Sequence, residues 1–210
     1  MVWRDAAGKA LTDYDRPSVA VDVVVLTVQG DQLAVLVVKS GRGLALPGTF
    51  LHRGETLADA ASRALQTKVG IRGLAFHQLG MYDDPSRDDR GWVLSMAHGA
   101  AAMRRYLPDD ALLVTIAGES PARDLTFDHN IMVSQAVQDI RVRYSNSPDP
   151  DRLLGDQFTL LELRRLHEAI FGATFVKDTF RRRFIGALEG TGERAAADTG
   201  RPAELFRVRQ

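Results

Sequence analysis

Cysteine is absent from all 210 residues. Disulfides, thiolate metal sites and cysteine nucleophiles are thereby excluded. No apolar run approaches the ~18 residues needed to cross a bilayer, and the stretch MVWRDAAGKALTDYDRP carries no apolar signal-like segment. A soluble, cytoplasmic protein with no membrane partner is expected. Net charge is missing too, since 27 basic and 27 acidic residues cancel. No global field then draws the chain to nucleic acid, and any such affinity has to be local. Paired metal-ligand histidines are also lacking: the five histidines are scattered and read as structural. What remains is a chain with 45% apolar residues, enough for a substantial core.

The first part of the chain reads as mixed α/β. Val19–Val28 and Leu33–Val38 are β-branched runs around Gly30-Asp31, the pattern of a hairpin. A Gly-rich loop, LALPGTFLHRGE, leads into a helix over Leu57–Val69. Ala61, Ala64 and Leu65 follow Leu57 at helical spacing, and Gly70 is a natural stop. Strands are expected over Leu74–Leu79, Trp92–Ala97 and Leu112–Ile116. A second helix is expected over His129–Tyr144, with Asp128 as its N-cap. Strands and helices in this order suggest a sandwich.

The stretch YSNSPDPDRLLGD concentrates Ser, Asn, Pro, Asp and Gly, and reads as a linker. Beyond it, FTLLELRRLHEAIFG opens with Thr159 and carries Glu162 at capping-box spacing. Leu163, Leu166, His167 and Ile170 form one helical face, and Gly172 ends the helix. VKDTFRRRFIGALEG follows, with Phe180, Phe184 and Leu188 as the buried stripe and Arg181, Arg182 and Arg183 over the rest. TGERAAADTGRPAELFRV offers two short strands around a glycine-marked turn. Helix, short turn, basic helix and hairpin is the order of a winged helix-turn-helix.

The segment from Thr49 to Ile71 carries the frame of a Nudix box. Thr49 stands at the box glycine, Glu55 at its first glutamate and Arg63 at its arginine. Ala64 stands at the glutamate after that arginine, Thr67 and Lys68 at the paired glutamates, and Gly70-Ile71 at the close. Nudix hydrolases cleave diphosphates with hard divalent cations, which require several carboxylate oxygens. This box keeps one acid, Glu55, and puts an ammonium where a carboxylate would be. The substitution opposes a metal rather than merely weakening its site: like charges ~4 Å apart at an effective dielectric near 20 repel by roughly 4 kcal/mol. A cation there could instead hold a diphosphate directly, with Arg63 free to join it.

Nearly the whole chain resembles one family, the Nudix-related transcriptional regulators of NAD metabolism (NrtR). YDRPSVAVDVVVLTV is similar to the family's opening strand, LALPGTFLHRGETLADAASRAL to its Nudix box, and YDDPSRDDRGWVLSMA to its aspartate-arginine-glycine segment. FTLLELRRLHEAIFG, DTFRRRF and GRPAELFRV resemble the first helix, the recognition helix and the wing of its DNA-binding domain. The resemblance implies an α/β (α+β) Nudix-like sandwich over residues 1–150, with its core at 15–145, and a C-terminal winged helix-turn-helix domain over 151–210. It implies a homodimer that represses genes of NAD synthesis or salvage from a palindromic operator on double-stranded DNA. ADP-ribose would bind the Nudix-like cleft as an effector and release DNA. No cofactor, catalytic residue or metal ligand is expected.

The candidate effector-binding residues are Lys39, Arg53, Glu55, Arg63, Lys68, Arg87 and Arg90. A diphosphate needs cations or backbone N–H groups, and ribose hydroxyls favour a carboxylate. The candidate DNA-binding residues are Lys177, Thr179, Arg181, Arg182, Arg183 and Arg201. Arginine forks onto guanine edges or holds phosphate, and Arg201 suits a phosphate or minor-groove contact. Successive helix positions are ~100° apart, so one of the three adjacent arginines is expected at the surface or between domains.

Two other functions compete. One is a hydrolase with relocated metal ligands among Asp83, Asp84, Asp88 and Asp89. The other is a winged helix that binds protein rather than DNA. If the chain is a sensor, the linker and the helix before it are where ligand and DNA would be coupled.

Overall fold

Val21, Val23 and Val25 alternate with Asp22, Val24 and Leu26 along Ser18–Gln29, so this strand, β1, buries both of its faces. It turns at Gly30, φ +60°, and pairs antiparallel with β2, Gln32–Leu36, in the expected hairpin. The computed structural model describes residues 3–195 and 202–209. Short strands β3 (Val38–Ser40), β4 (Gly43–Ala45) and β5 (Gly48–Phe50) lead to helix α1, Leu57–Val69. Thr56 caps α1 reciprocally with Asp59, and Gly70 at φ +72° ends it.

Strand β6 covers His77–Tyr82 rather than Leu74–Leu79. Leu74 and Phe76 are apolar because they pack against the α1-side core, not because they pair with a strand. Strand β7, Val93–Ala101, runs on four residues beyond Ala97. Its small residues have little intrinsic strand preference, but β1 pairs it in parallel and β6 antiparallel, and that pairing prevails. Strands β8 (Leu113–Ala117) and β9 (Ser120–Pro121) precede α2, His129–Asn146. The sheet order is β6-β7-β1-β2-β8-β9, with β5 also paired to β1. Val21, Val23 and Val25 meet Ala60, Ala61 and Leu65 of α1 on one face. Val24 and Leu26 meet Met132, Val133 and Ile140 of α2 on the other. The sheet is therefore sandwiched between the two helices.

The winged helix consists of β10 (Phe158–Thr159), α3 (Leu160–Phe171), α4 (Lys177–Phe184), β11 (Leu188–Arg194) and β12 (Glu204–Val208). Thr159 and Glu162 form the expected capping box, and Gly172 at φ +64° closes α3. The three strands order as β10-β12-β11, and Phe158, Leu163, Phe180, Phe184, Leu188 and Phe206 fill the space between them and the helices.

The stretch read as a linker is bonded into the structure. Asp149 is buried, accepts from the Tyr144 hydroxyl at 2.8 Å, and accepts from Leu153 N and Leu154 N. His167 Nε2 lies 2.6 Å from Pro148 O, and Arg143 pairs with Asp151. Leu166 and Ile170 of α3 belong to the same apolar cluster as Ile140 and Tyr144 of α2. Composition alone suggested a linker; a buried carboxylate held by three donors makes it a fixed corner.

Candidate functional site

A cleft of about 550 Å³ opens beside β5 and the start of α2. Lys39, Lys68, Arg87 and Arg90 line it, together with Asp22, Thr49, Phe50, Asp88, Phe127 and His129. Four of the seven effector candidates thus converge from β3, the last turn of α1 and the charged loop between β6 and β7.

The other three lie behind the wall or away from it. Arg63 gives Nε to Glu55 at 2.7 Å and Nη2 to Glu55 at 2.9 Å. It also reaches Phe50 O at 2.8 Å and Thr49 Oγ1 at 3.1 Å. It is not free for a ligand, contrary to expectation: its guanidinium locks the β5 loop to α1. Glu55 is its partner, held at a pKa of about 2 by Arg63 and by the His52 N–H. The same pair that would orient a catalytic glutamate here shapes the loop. Arg53 sits exposed before α1, outside the cleft lining.

The floor is a buried charge network that sequence reasoning missed. Asp22 accepts from Ser95 Oγ at 2.6 Å, with His129 Nε2 at 3.4 Å and Arg87 Nη2 at 3.9 Å. Leu46 N donates to His129 Nδ1 at 3.0 Å, which leaves the ring proton on Nε2, facing Asp22. Burial works against the Asp22 charge, but His129, Ser95 and Arg87 outweigh it and keep the carboxyl below its ordinary range. Gly48 lies so close that an added Cβ would meet Asp22 Oδ1 at 2.0 Å. The signal in the sequence was a lone carboxylate in the β-branched run VAVDVVV.

Asp128 is at the N-cap position of α2, yet its side chain makes no cap. Its two oxygens accept instead from Arg87 Nε and Nη2 at 2.8 and 2.7 Å. Arg87 is not the solvated loop residue its setting suggests, since its side chain is 4% exposed. Arg90 pairs with Asp88 at 2.6 Å. Asp84 is engaged with Ser86, and Asp89 with Arg42. Three of the four aspartates of the relocated-ligand hydrolase are thus committed to neighbours. Among the described residues, Lys39 and Lys68 are the cleft cations without an ion pair.

On the winged helix, Lys177, Thr179, Arg181 and Arg182 stand exposed on α4. Arg183 differs: Nη2 donates to Ser145 O, in the last turn of α2, at 2.7 Å. It is the interdomain member of the triplet. Arg201 lies outside the described residues.

Comparison with known proteins agrees with this two-part construction. The sequence model of the Nudix domain matches residues 16–111, and that of the NrtR DNA-binding winged helix domain matches residues 151–208. The ADPR responsive transcriptional repressor NtrR of Acinetobacter baylyi is 30% identical, over 93% of this chain and 84% of its own length. The chain belongs to the NrtR family. The crystal structure of Shewanella oneidensis NrtR complexed with a 27mer DNA superposes with a TM-score of 0.75 at 29% identity, covering 91% of this chain and 93% of that one. An ADP-ribose pyrophosphatase of Methanocaldococcus jannaschii is 29% identical over 60% of this chain and 76% of its own length. This NrtR-family protein therefore has a Nudix-like domain followed by a winged helix, as the resemblance implied.

Proposed function

We propose that this NrtR-family protein is a DNA-binding transcriptional repressor whose Nudix-like domain senses ADP-ribose and does not cleave it. One observation carries the reading: Lys39 and Lys68, the cleft cations without an ion pair among the described residues, stand in a Nudix frame, with Lys68 at a position where the box has a carboxylate. A diphosphate meets positive charge directly there, and a divalent ion meets repulsion. Arg87 and Arg90, paired with Asp128 and Asp88, hold the cleft in shape, while Arg63 and Glu55 brace its wall. The name of the Acinetobacter relative, an ADPR responsive repressor, supports this ligand.

On the DNA side, Lys177, Thr179, Arg181 and Arg182 would face the operator, with Arg201 on the wing. A homodimer on a palindromic site places two such helices one turn apart, which matches a two-fold protein. The regulated genes would be those of NAD synthesis or salvage, read in the cytoplasm. No cofactor or bound metal is needed for any of this. No helix among the described residues is long and apolar enough to cross a membrane.

The test is a titration of ADP-ribose into the protein with magnesium present, following heat and product together, and then repeated with operator DNA bound. Binding without turnover, and weaker DNA affinity once ligand is bound, are expected. Release of ribose 5-phosphate and AMP would establish the hydrolase reading, with metal ligands outside the box.

A further inference from the structure

Val176 is the most exposed large apolar side chain among the described residues, at 74%. Single apolar residues on a surface are ordinary; the position of this one is not. It is the N-cap of α4, where Ser, Thr, Asp or Asn would accept from a free N–H of the first turn, and its side chain makes no such bond. An apolar group in water and an uncapped helix thus cost stability at the same residue. The backbone nevertheless presents it firmly. Phe175 N donates to Glu168 Oε1 at 2.9 Å, and Arg164 Nη1 donates to Phe175 O and to Glu168 Oε1, each at 3.1 Å. The Phe175 ring centre lies 5.8 Å from that of Phe171 and 5.9 Å from that of Phe180. Val176 O accepts from Phe180 N at 2.9 Å. Thr174, Lys177, Asp178 and Thr179 around it are exposed as well.

We propose that Val176 packs against the C5-methyl of a thymine in the major groove, and so selects thymine at one position for each winged helix bound. The inference rests on the DNA-binding reading and adds one base of the sequence that is read. In a helix-turn-helix the N-terminal residues of the second helix reach base edges. Valine has no side-chain donor and cannot hold phosphate. The thymine methyl is the apolar group that the major groove offers it. Asp178 sits in the first turn of α4, and a carboxylate is repelled by phosphate. This end of α4 therefore suits base edges, while Arg181 and Arg182 in its last turn suit the backbone.

The test selects duplexes from a random-sequence library with the full chain. Each thymine of the bound sequence is then replaced by deoxyuridine, which lacks only that methyl. The native chain should lose about 4-fold in affinity at one thymine, the equivalent of one buried methyl at ~0.8 kcal/mol. Val176→Ala should bind the thymine duplex about 4-fold more weakly and be indifferent to that replacement, with its salt dependence unchanged. Val176→Ser should show the same indifference while unfolding at higher urea concentration, because serine caps α4; a folding defect is thereby separated from lost reading. A native chain indifferent to every replacement, or a bound sequence without thymine, would overturn the contact. Sensitivity that persists in both variants would overturn it too, and assign the methyl to another side chain. A reduced salt slope in Val176→Ala would overturn it by placing the loss at phosphate. A chain that selects no duplex would overturn the DNA-binding reading and the contact with it.

Discussion

Gly48 and Asp22 show how little space separates a working cleft from a broken one. Their strands pair in register, and the glycine's missing side chain is the room the carboxylate occupies. Gly48→Ala must push Asp22 away from Ser95, His129 and Arg87, leaving a buried charge short of partners. A loss of about 2–4 kcal/mol is expected from urea unfolding, and no loss would show that β5 yields easily. Lys68 is the other single position on which much depends. Lys68→Glu replaces a cleft cation with an anion where the proposed diphosphate would bind. Calorimetry should then show ADP-ribose affinity reduced by ~10-fold or more. Hydrolysis should not appear, because Thr67 still stands beside it.

Helix α4 separates its roles by angle, since Phe180 and Phe184 face the core and the polar positions divide the remainder. Arg181→Ala and Arg182→Ala should each flatten the salt dependence of operator binding, by ~0.9 in log-log slope for each phosphate the arginine neutralises. Arg183→Ala should leave that slope alone, because its guanidinium is engaged with Ser145 O; a slope that drops equally for all three would assign Arg183 to DNA. Helix α3 carries a different dependence. His167 is buried among Tyr144, Phe171, Phe180 and Phe184, and burial lowers its pKa from the ordinary 6.5 to about 4. The folded state therefore disfavours protonation relative to the unfolded chain. Stability is fully present above pH 6.5 and falls as pH drops toward 4, by on the order of 3 kcal/mol in all. Unfolding of His167→Gln should lack this decline between those limits.

Across the whole molecule, α2 touches both functions. Asp128, just before its first turn, holds Arg87 at the cleft, and its last turn offers Tyr144 to Asp149 and Ser145 O to Arg183 of α4. An anion entering the cleft competes with Asp128 for Arg87, and any shift of α2 reaches α4 through packed residues that have little slack. Coupling is reciprocal, so if ligand lowers DNA affinity, DNA lowers ligand affinity by the same factor. Asp128→Asn and Arg183→Ala should each shrink that factor several-fold while ligand and DNA still bind singly. A full thermodynamic cycle that gives an unchanged factor for both variants would exclude this route.

Local chemistry accounts for much of this protein. Hairpin β1–β2, the limits of α1, the capping box of α3 and the basic face of α4 were legible because each depends on periodicity, caps or turn residues close in sequence. The Nudix frame was legible for the same reason, as was the cation placed where its metal would go. The meetings between distant segments arise only once the chain is folded. Asp22 with His129, Arg87 with Asp128, Arg90 near the Phe50 and Phe127 rings, and Arg183 on Ser145 join residues far apart in the chain. No local pattern marks such pairs. Whether a charged side chain is a ligand, a brace or a latch depends on what the fold carries to within hydrogen-bond reach of it. Arg63, Arg87 and Arg183 look alike in the sequence and differ only in the acceptor each one meets.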